Sequence, residues 1–421
     1  MKIAVIGTGI SGLAAAWLLQ RKHEVVLFER ETRAGGHTNT FIAQTAAGAQ
    51  PIDTGFIVYN EPCYPNLTAL FRELGVATRS SDMSFGVSIG EGRYEYAGDN
   101  LFTLFVQPSN LFSPRHLGML LEILRLNRLT KLLLRQNTLP EITLGEFLDK
   151  YRFGSAIRSR YLLPMCGAIW STSTRGCLDF PYPAFARFFD SHGLLNAIDR
   201  PQWRTVVGGS QAYVQKLLAD FRGELRLNCA VTGLTREDRG VTVSSARGAE
   251  HFDAAICATH SDQALKLLRD ANDSERVVLE QVRFAANRSY LHTDETLLPL
   301  RRRAWSSWNY MGRGDELNDD PISVTYWMNR LMGIAGPVNY IVSLNPPREP
   351  VAGTILLQLV YEHPQFTPAT IAAQQRLGAI QGSRHIWYAG AWTRYGFHED
   401  GLRSALLVAK DFNCLPAWAQ L

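Results

Sequence analysis

The sequence predicts an α/β protein: a doubly wound, mostly parallel sheet with a second α+β domain interleaved into it. Three observations predict it. Residues 1–30 read as strand, glycine turn, helix, strand; residues 101–195 carry apolar residues at helical spacing; and short apolar strands with a following helix return after residue 205 and again after residue 383. The first unit is therefore resumed twice. The doubly wound domain is expected from 1–60, 205–268 and 383–421, and the substrate domain from 61–204 and 269–382.

At 421 residues, 46% hydrophobic and 19% charged, the chain is long enough for two or three domains and has the composition of a soluble globular protein. The net charge of +4, from 43 basic and 39 acidic residues, is too mild to argue for nucleic acid, and no such partner is expected. The six cysteines show neither C-x-x-C nor a metal spacing, which predicts unpaired thiols in a reduced, cytoplasmic compartment and no metal site. No signal peptide is expected, because residue 2 already opens a strand, and no apolar run approaches the ~18 residues of a membrane span.

The opening strand, Lys2-Ile3-Ala4-Val5-Ile6, leads into Gly7-Thr8-Gly9-Ile10-Ser11-Gly12 and a helix from Leu13. A lone G-x-G-x-x-G is weak, but here it sits between a strand and a helix, as its Rossmann-type mechanism requires. Gly7 permits the turn, Gly9 lets backbone approach a pyrophosphate, and Gly12 lets the helix lie close to the sheet. Ile10 and Ser11 open that helix, whose free N–H groups and dipole favour an anion. Glu29, 17 residues after Gly12, is placed to accept from ribose hydroxyls, with Arg30 beside it; an acid there favours NAD or FAD over NADP.

A second glycine turn follows at Arg33-Ala34-Gly35-Gly36-His37-Thr38, then a turn at Asp53-Thr54-Gly55. Residues 66–75 read as an amphipathic helix and 83–96 as a hairpin. Residues 113–135 form a basic amphipathic stretch, with Arg115, Arg125, Arg128, Lys131 and Arg135 against the single acid Glu122. That face suits an anionic membrane surface or plain solvent. Thr143 and Glu146 have capping-box spacing. Gly208-Gly209-Ser210 precedes a helix at 211–218, strands are expected at 224–234, 241–244 and 251–258, and a second sheet at 283–297 and 322–329. Last, residues 385–392 are a strand into a glycine turn, and His398-Glu399-Asp400-Gly401-Leu402 feeds a helix.

In this order the motifs resemble the FAD-dependent amine-oxidase and phytoene-desaturase superfamily. The closer resemblance, through G-G-H-T-N-T, N-R-S-Y-L-H-T-D and W-Y-A-G-A-W-x-R-Y-G-F-H-E-D-G, is to a bacterial branch commonly encoded beside cyclopropane-fatty-acid-synthase-like methyltransferases. The resemblance implies non-covalent FAD. It sets Arg33, Gly35, Gly36, His37 and Thr38 at the pyrophosphate and ribityl chain, Asp53, Thr54 and Gly55 near the flavin ring, and Val231 at the adenine end. Ala258 and Thr259 close the next strand, and Gly390, Ala391, Gly401, Leu402 and Ala405 bring a helix N-terminus to flavin N1 and O2.

The sequence departs from the family where classical amine oxidases carry a lysine at flavin N5: no Lys lies between Lys266 and Lys410. The corresponding strand holds Arg288 and His292 instead. His398, Glu399, Asp400 and His292 are the candidates for acid or base, with His37 a positioner. The resemblance implies hydride transfer from a C–H bond of an apolar, fatty-acyl or phospholipid substrate. Cysteine usage sets the enzyme in the cytoplasm, and the basic face of 113–135 allows peripheral contact with the inner membrane face. The alternatives are a flavin amine oxidase and a non-redox flavin-dependent isomerase.

Overall fold

The computed structural model describes residues 1–45, 48–196, 200–314 and 321–421. Its centre is a parallel five-stranded sheet in the order Glu224–Arg226, Glu24–Phe28, Lys2–Ile6, Ala254–Cys257, Ile386–Tyr388. Ile3, Ala4, Val5, Leu27 and Ile256 are buried without residual exposure, as expected of strands covered on both faces. One face carries the helix Ile10–Leu19, every residue of which is buried, and outside it the closing helix His398–Asp411. The other face packs on the antiparallel sheet Val231–Glu237, Gly240–Ser245, Gly248–Phe252 and on the helices Ser261–Leu267 and Asp273–Leu279.

A seven-stranded sheet organises the rest, in the order Ile355–Gln365, Arg283–His292, Ile341–Leu344, Val324–Trp327, Trp308–Gly312, Phe85–Ile89, Tyr94–Ala97. Its strands are antiparallel except where Trp308–Gly312 runs parallel to Phe85–Ile89. A helical cluster from Pro114–Arg135 to Tyr182–Ser191 packs against it through an aromatic core that includes Phe147, Trp170, Tyr182 and Phe185. The expected starts hold: Ser113 accepts from the His116 N–H, and Thr143 and Glu146 form a capping box.

Four expected strands end or divide sooner than the apolar pattern suggests. Residues 224–234 break at 227–230, where Asn228 takes a φ of +50° and Cys229 donates to the Glu29 carbonyl, so the chain leaves the parallel sheet before Val231 starts the antiparallel one. Residues 251–258 break at Asp253, which exchanges hydrogen bonds with Lys2, and the two pieces join different sheets. The strand from Arg283 stops at His292, because Asp294 caps a short 3-10 turn over Glu295–Leu297; that from 322 is Val324–Trp327, followed by a helical turn, Met328–Met332. Apolar periodicity does not register a bend at a single polar residue.

Candidate cofactor site and active centre

The glycine turn is built for close approach. Gly7 has a φ of +101° and donates to the Phe28 carbonyl, and a Cβ on Gly12 would stand 1.8 Å from the Gly7 carbonyl oxygen, so the helix rests directly on the turn. Gly9 differs: a Cβ there would meet nothing within 4 Å. Gly9 is also the N-cap of Ile10–Leu19 and supplies no side-chain cap, so the first amides, those of Ile10 and Ser11, are left for another acceptor. Glu29 is buried at the strand end. Its Oε2 accepts from the Thr8 N–H at 3.0 Å and from the Thr8 hydroxyl, and Oε1 accepts from the Glu31 N–H at 3.0 Å. Arg30 is exposed and pairs with Glu31.

The second glycine turn folds onto the first, with Gly35 donating to the Thr8 carbonyl at 3.0 Å. Arg33 braces this turn by donating to the Thr38 and Gly36 carbonyls, both at 2.9 Å. Thr54 and Gly55 lie beneath: the Thr54 hydroxyl is 2.8 Å from that of Tyr361, and a Cβ on Gly55 would stand 2.0 Å from the His37 carbonyl oxygen. Asp53 is fully buried and accepts from Ser210 N–H at 2.8 and 2.9 Å, from the Ser210 hydroxyl at 2.8 Å and from Thr40. Its carboxylate ties the re-entrant Gly208-Gly209-Ser210 turn to this strand. Burial pushes Asp53 up to about 6.

At the carboxyl end of the parallel sheet, Ala258 donates to the Ile6 carbonyl and the Thr259 carbonyl accepts from Trp392 Nε1 at 3.1 Å. The Gly390 N–H donates to Ser404 at 2.9 Å, fastening the last turn, with Ala391, to the closing helix. Leu402 and Ala405 are fully buried against the fingerprint helix, and a Cβ on Gly401 would come within 2.7 Å of Ile10 and 2.9 Å of Ser11. The two helix N-termini thus meet. Val231, half-buried, begins its strand at the other end of this edge.

Between this edge and the seven-stranded sheet lies a set of imidazoles and phenols. His37 stacks on Tyr361 at 5.1 Å and lies 5.6 Å from the His363 ring and 6.3 Å from that of His260. His260 stacks on Phe284 at 4.0 Å, with Glu362 3.4 Å from its Nδ1. Asn287 Nδ2 is 3.1 Å from His363 Nδ1. On the other flank His398 stacks on Phe56 at 3.7 Å, its Nε2 lying 3.1 Å from the Thr38 hydroxyl and 3.2 Å from that of Tyr213. Removal from solvent, reinforced for His37, His363 and His398 by neighbouring imidazoles, lowers all four rings: His37 and His260 to about 4, His363 and His398 to about 3. They are neutral at physiological pH. His37 Nε2 is buried and without a partner among the described residues.

The model of the flavin containing amine oxidoreductases matches residues 10–340. The chain belongs to that family. Its cofactor is FAD. A Mycobacterium tuberculosis protein provisionally named flavin-containing monoamine oxidase AofH is 30% identical over 270 residues, 61% of this chain and 56% of its own length. The chain spans about half the length of that relative and a tenth of another, the Escherichia coli oxidoreductase provisionally named YgfK, 37% identical over 112 residues, 23% of this chain. Among solved structures, a fatty acid isomerase from P. acnes that produces CLA superposes with a TM-score of 0.71 at 17% identity, over 97% of this chain and 98% of that one. Cyclohexylamine oxidase from Brevibacterium oxydans gives 0.64 at 15%, over 98% and 99%. Both share the fold.

The site fits the family's cofactor: open space at Gly9, two converging helix N-termini and an unpartnered imidazole nitrogen are what a pyrophosphate and a polar ring system need. Three expected acid–base residues are otherwise engaged. Glu399 accepts from the backbone N–H groups of Asn66 and Leu67 and from Asn66 Nδ2, which caps the helix Pro65–Glu73. Asp400 accepts from the Tyr395 and Phe397 N–H groups and caps its own helix. His292 is buried in the far part of its strand, Nε2 2.9 Å from the Ser343 hydroxyl and Nδ1 accepting from Asp294; five residues separate it from Asn287, about 16 Å of strand. His398 alone of the four stands in the imidazole set. The sequence reading missed His260, Asn287, Tyr361, Glu362 and His363. The one local signal was the Tyr361-Glu362-His363 alternation, which puts both rings on one face.

Proposed function

We propose that the protein is an FAD-dependent oxidoreductase that removes a hydride from a C–H bond of an uncharged, apolar substrate of fatty-acyl or phospholipid type. The observation that carries this reading is the neutrality of the centre. Four imidazoles are held uncharged among Phe56, Tyr361 and Phe284, while Asp53, Glu399 and Asp400 are committed to backbone amides and Glu362, partly exposed, lies at the rim beside His260. A buried ammonium is costly without a charged partner inside the centre, and an alkyl chain is not. The absence of Lys between Lys266 and Lys410 removes the group that serves amine oxidation in the classical members.

Bound FAD supplies the hydride acceptor. The chain supplies the rest. Gly9 and the fingerprint helix would hold the diphosphate, and the start of the closing helix would offer positive dipole to the negative charge that reduction brings. Phe56, Tyr361 and Phe284 offer an apolar, water-poor surface on which an alkyl chain can be oriented. His37 Nε2, the one buried nitrogen of the set without a partner among the described residues, accepts or holds the proton that accompanies the hydride.

The test is an anaerobic titration of the yellow holoprotein. Fatty-acyl and phospholipid substrates are expected to bleach the flavin absorbance, and primary or secondary amines are not. Bleaching by amines with colour retained against every lipid would overturn the reading.

A further inference from the structure

Eight large apolar side chains stand in solvent on one short stretch: Leu101, Phe102, Leu111, Phe112, Leu117, Leu121, Leu124 and Leu132, with Phe102 90% and Phe112 85% exposed. Scattered exposed leucines are ordinary, whereas a contiguous set of this kind marks a contact surface. On the helix Pro114–Arg135 six of the exposed positions, 117, 121, 124, 128, 132 and 135, follow spacings of four and three, so Leu117, Leu121, Leu124, Arg128, Leu132 and Arg135 form one outward stripe. The opposite face, with His116, Met119, Leu126 and Thr130, is buried.

The apolar tips are held outward by a polar scaffold. Gln107 accepts from the Glu95 N–H at 2.7 Å and donates to the Arg93 carbonyl at 2.9 Å. Asn110 donates to the Glu95 carbonyl at 3.0 Å, and His116 Nδ1 lies 2.7 Å from the Tyr94 hydroxyl. These ties fasten the segment to the strand Tyr94–Ala97 while Phe102 and Phe112 point away from it. Charge then selects the occupant. Residues 101–135 hold five basic side chains and one acid, a net +4 that equals the net charge of the whole chain. The remainder of the molecule is neutral in sum, and the excess lies beside the apolar stripe. No helix among the described residues is long and apolar enough to cross a membrane.

The geometry points to residues 101–135 as a surface that lies on an anionic lipid bilayer, with Phe102 and Phe112 sinking into the acyl boundary and Arg128 and Arg135 meeting headgroup phosphates. Docking of this kind sets lipid beside the molecule without requiring that lipid be its substrate.

Co-sedimentation of the holoprotein with large vesicles tests it, with flavin absorbance as the marker and no turnover needed, so the outcome is separate from that of the bleaching titration. The wild-type protein is expected to pellet with phosphatidylserine–phosphatidylcholine vesicles and to be released by salt. Phe102→Ser with Phe112→Ser, and separately Arg128→Gln with Arg135→Gln, are expected to weaken partitioning by about tenfold or more while thermal stability stays at the wild-type value, since all four side chains are exposed. Protein that remains in the supernatant, equal binding to pure phosphatidylcholine, or variants that pellet like the wild type would each overturn the proposal. So would light scattering that finds a dimer dissolved by Leu121→Ser in a protein that ignores vesicles, because a second copy would then cover the patch.

Discussion

Glu399 begins the closing helix yet serves another one: its two oxygens take the amides of Asn66 and Leu67 at the start of Pro65–Glu73. Glu399→Ala leaves those buried N–H groups unpaired and is expected to cost about 1–3 kcal/mol of stability, visible as a lowered thermal midpoint. The rate of flavin reduction per bound flavin should change by less than about tenfold, where loss of a general acid or base costs ~10²–10⁴-fold; a deficit of that size would restore the catalytic role. The imidazoles make a pH prediction. His37, His260, His363 and His398 lie at about 3 to 4, below the ordinary 6.5, so the folded protein binds fewer protons than the unfolded chain in between. Their contribution is complete above about 6.5 and is lost as pH falls toward 4 and 3. Asp53 and Asp400, pushed up to about 6 by burial, act in the opposite sense, with stability present below their unfolded value and lost as pH rises through 6. Four imidazoles outweigh two carboxylates. The thermal midpoint of the apoprotein should drop between pH 6.5 and 4.5, and a midpoint that rises on acidification would refute the assignment.

The glycines of the first turn separate space reserved for a ligand from space used by the fold. Gly12→Ala places a methyl group 1.8 Å from a carbonyl oxygen and should prevent stable folding or cost more than about 3 kcal/mol. Gly9→Ala meets no atom, and its φ of −63° suits alanine, so the fold should persist with an unchanged apoprotein midpoint. Its FAD affinity should fall by about tenfold or more, which is about 1.4 kcal/mol, because the methyl group would occupy the diphosphate's place. Equal flavin affinity in Gly9→Ala and wild type would show that the open space is not the cofactor's. At this scale the sequence was most legible. The fingerprint, the capping box at Thr143 and the closing helix were readable because each is decided by residues a few positions apart. The imidazole centre was not. Tyr361 meets Thr54 and Asn39 across separations of 307 and 322 positions, and His363 joins the centre only because it is registered against Ala285. Local pattern contains no record of such a pairing.

In the whole molecule the imidazole centre is where two sheets face each other, one side from the parallel sheet's carboxyl edge and the other from Arg283–His292 and Ile355–Gln365. Cofactor binding between them should stabilise both sides together: at free FAD ~100 times the dissociation constant, mass action adds about 2.7 kcal/mol. One calorimetric transition that moves upward with FAD is the expected result, and two transitions of which only one moves would show that the halves unfold separately. The order of strands in the parallel sheet also has a meaning in time. Lys2–Ile6 lies between Glu24–Phe28 and Ala254–Cys257, whose other neighbour is Ile386–Tyr388, and Cys257 and Ile386 are 129 positions apart. A ribosome adding about 5–20 residues each second takes some 6 to 26 seconds to cover that distance. Throughout it the nascent sheet presents an apolar, unpaired edge at Ala254–Cys257 and the fingerprint helix lacks its outer cover, which leaves the growing chain open to aggregation until the strand that completes the sheet has left the exit tunnel.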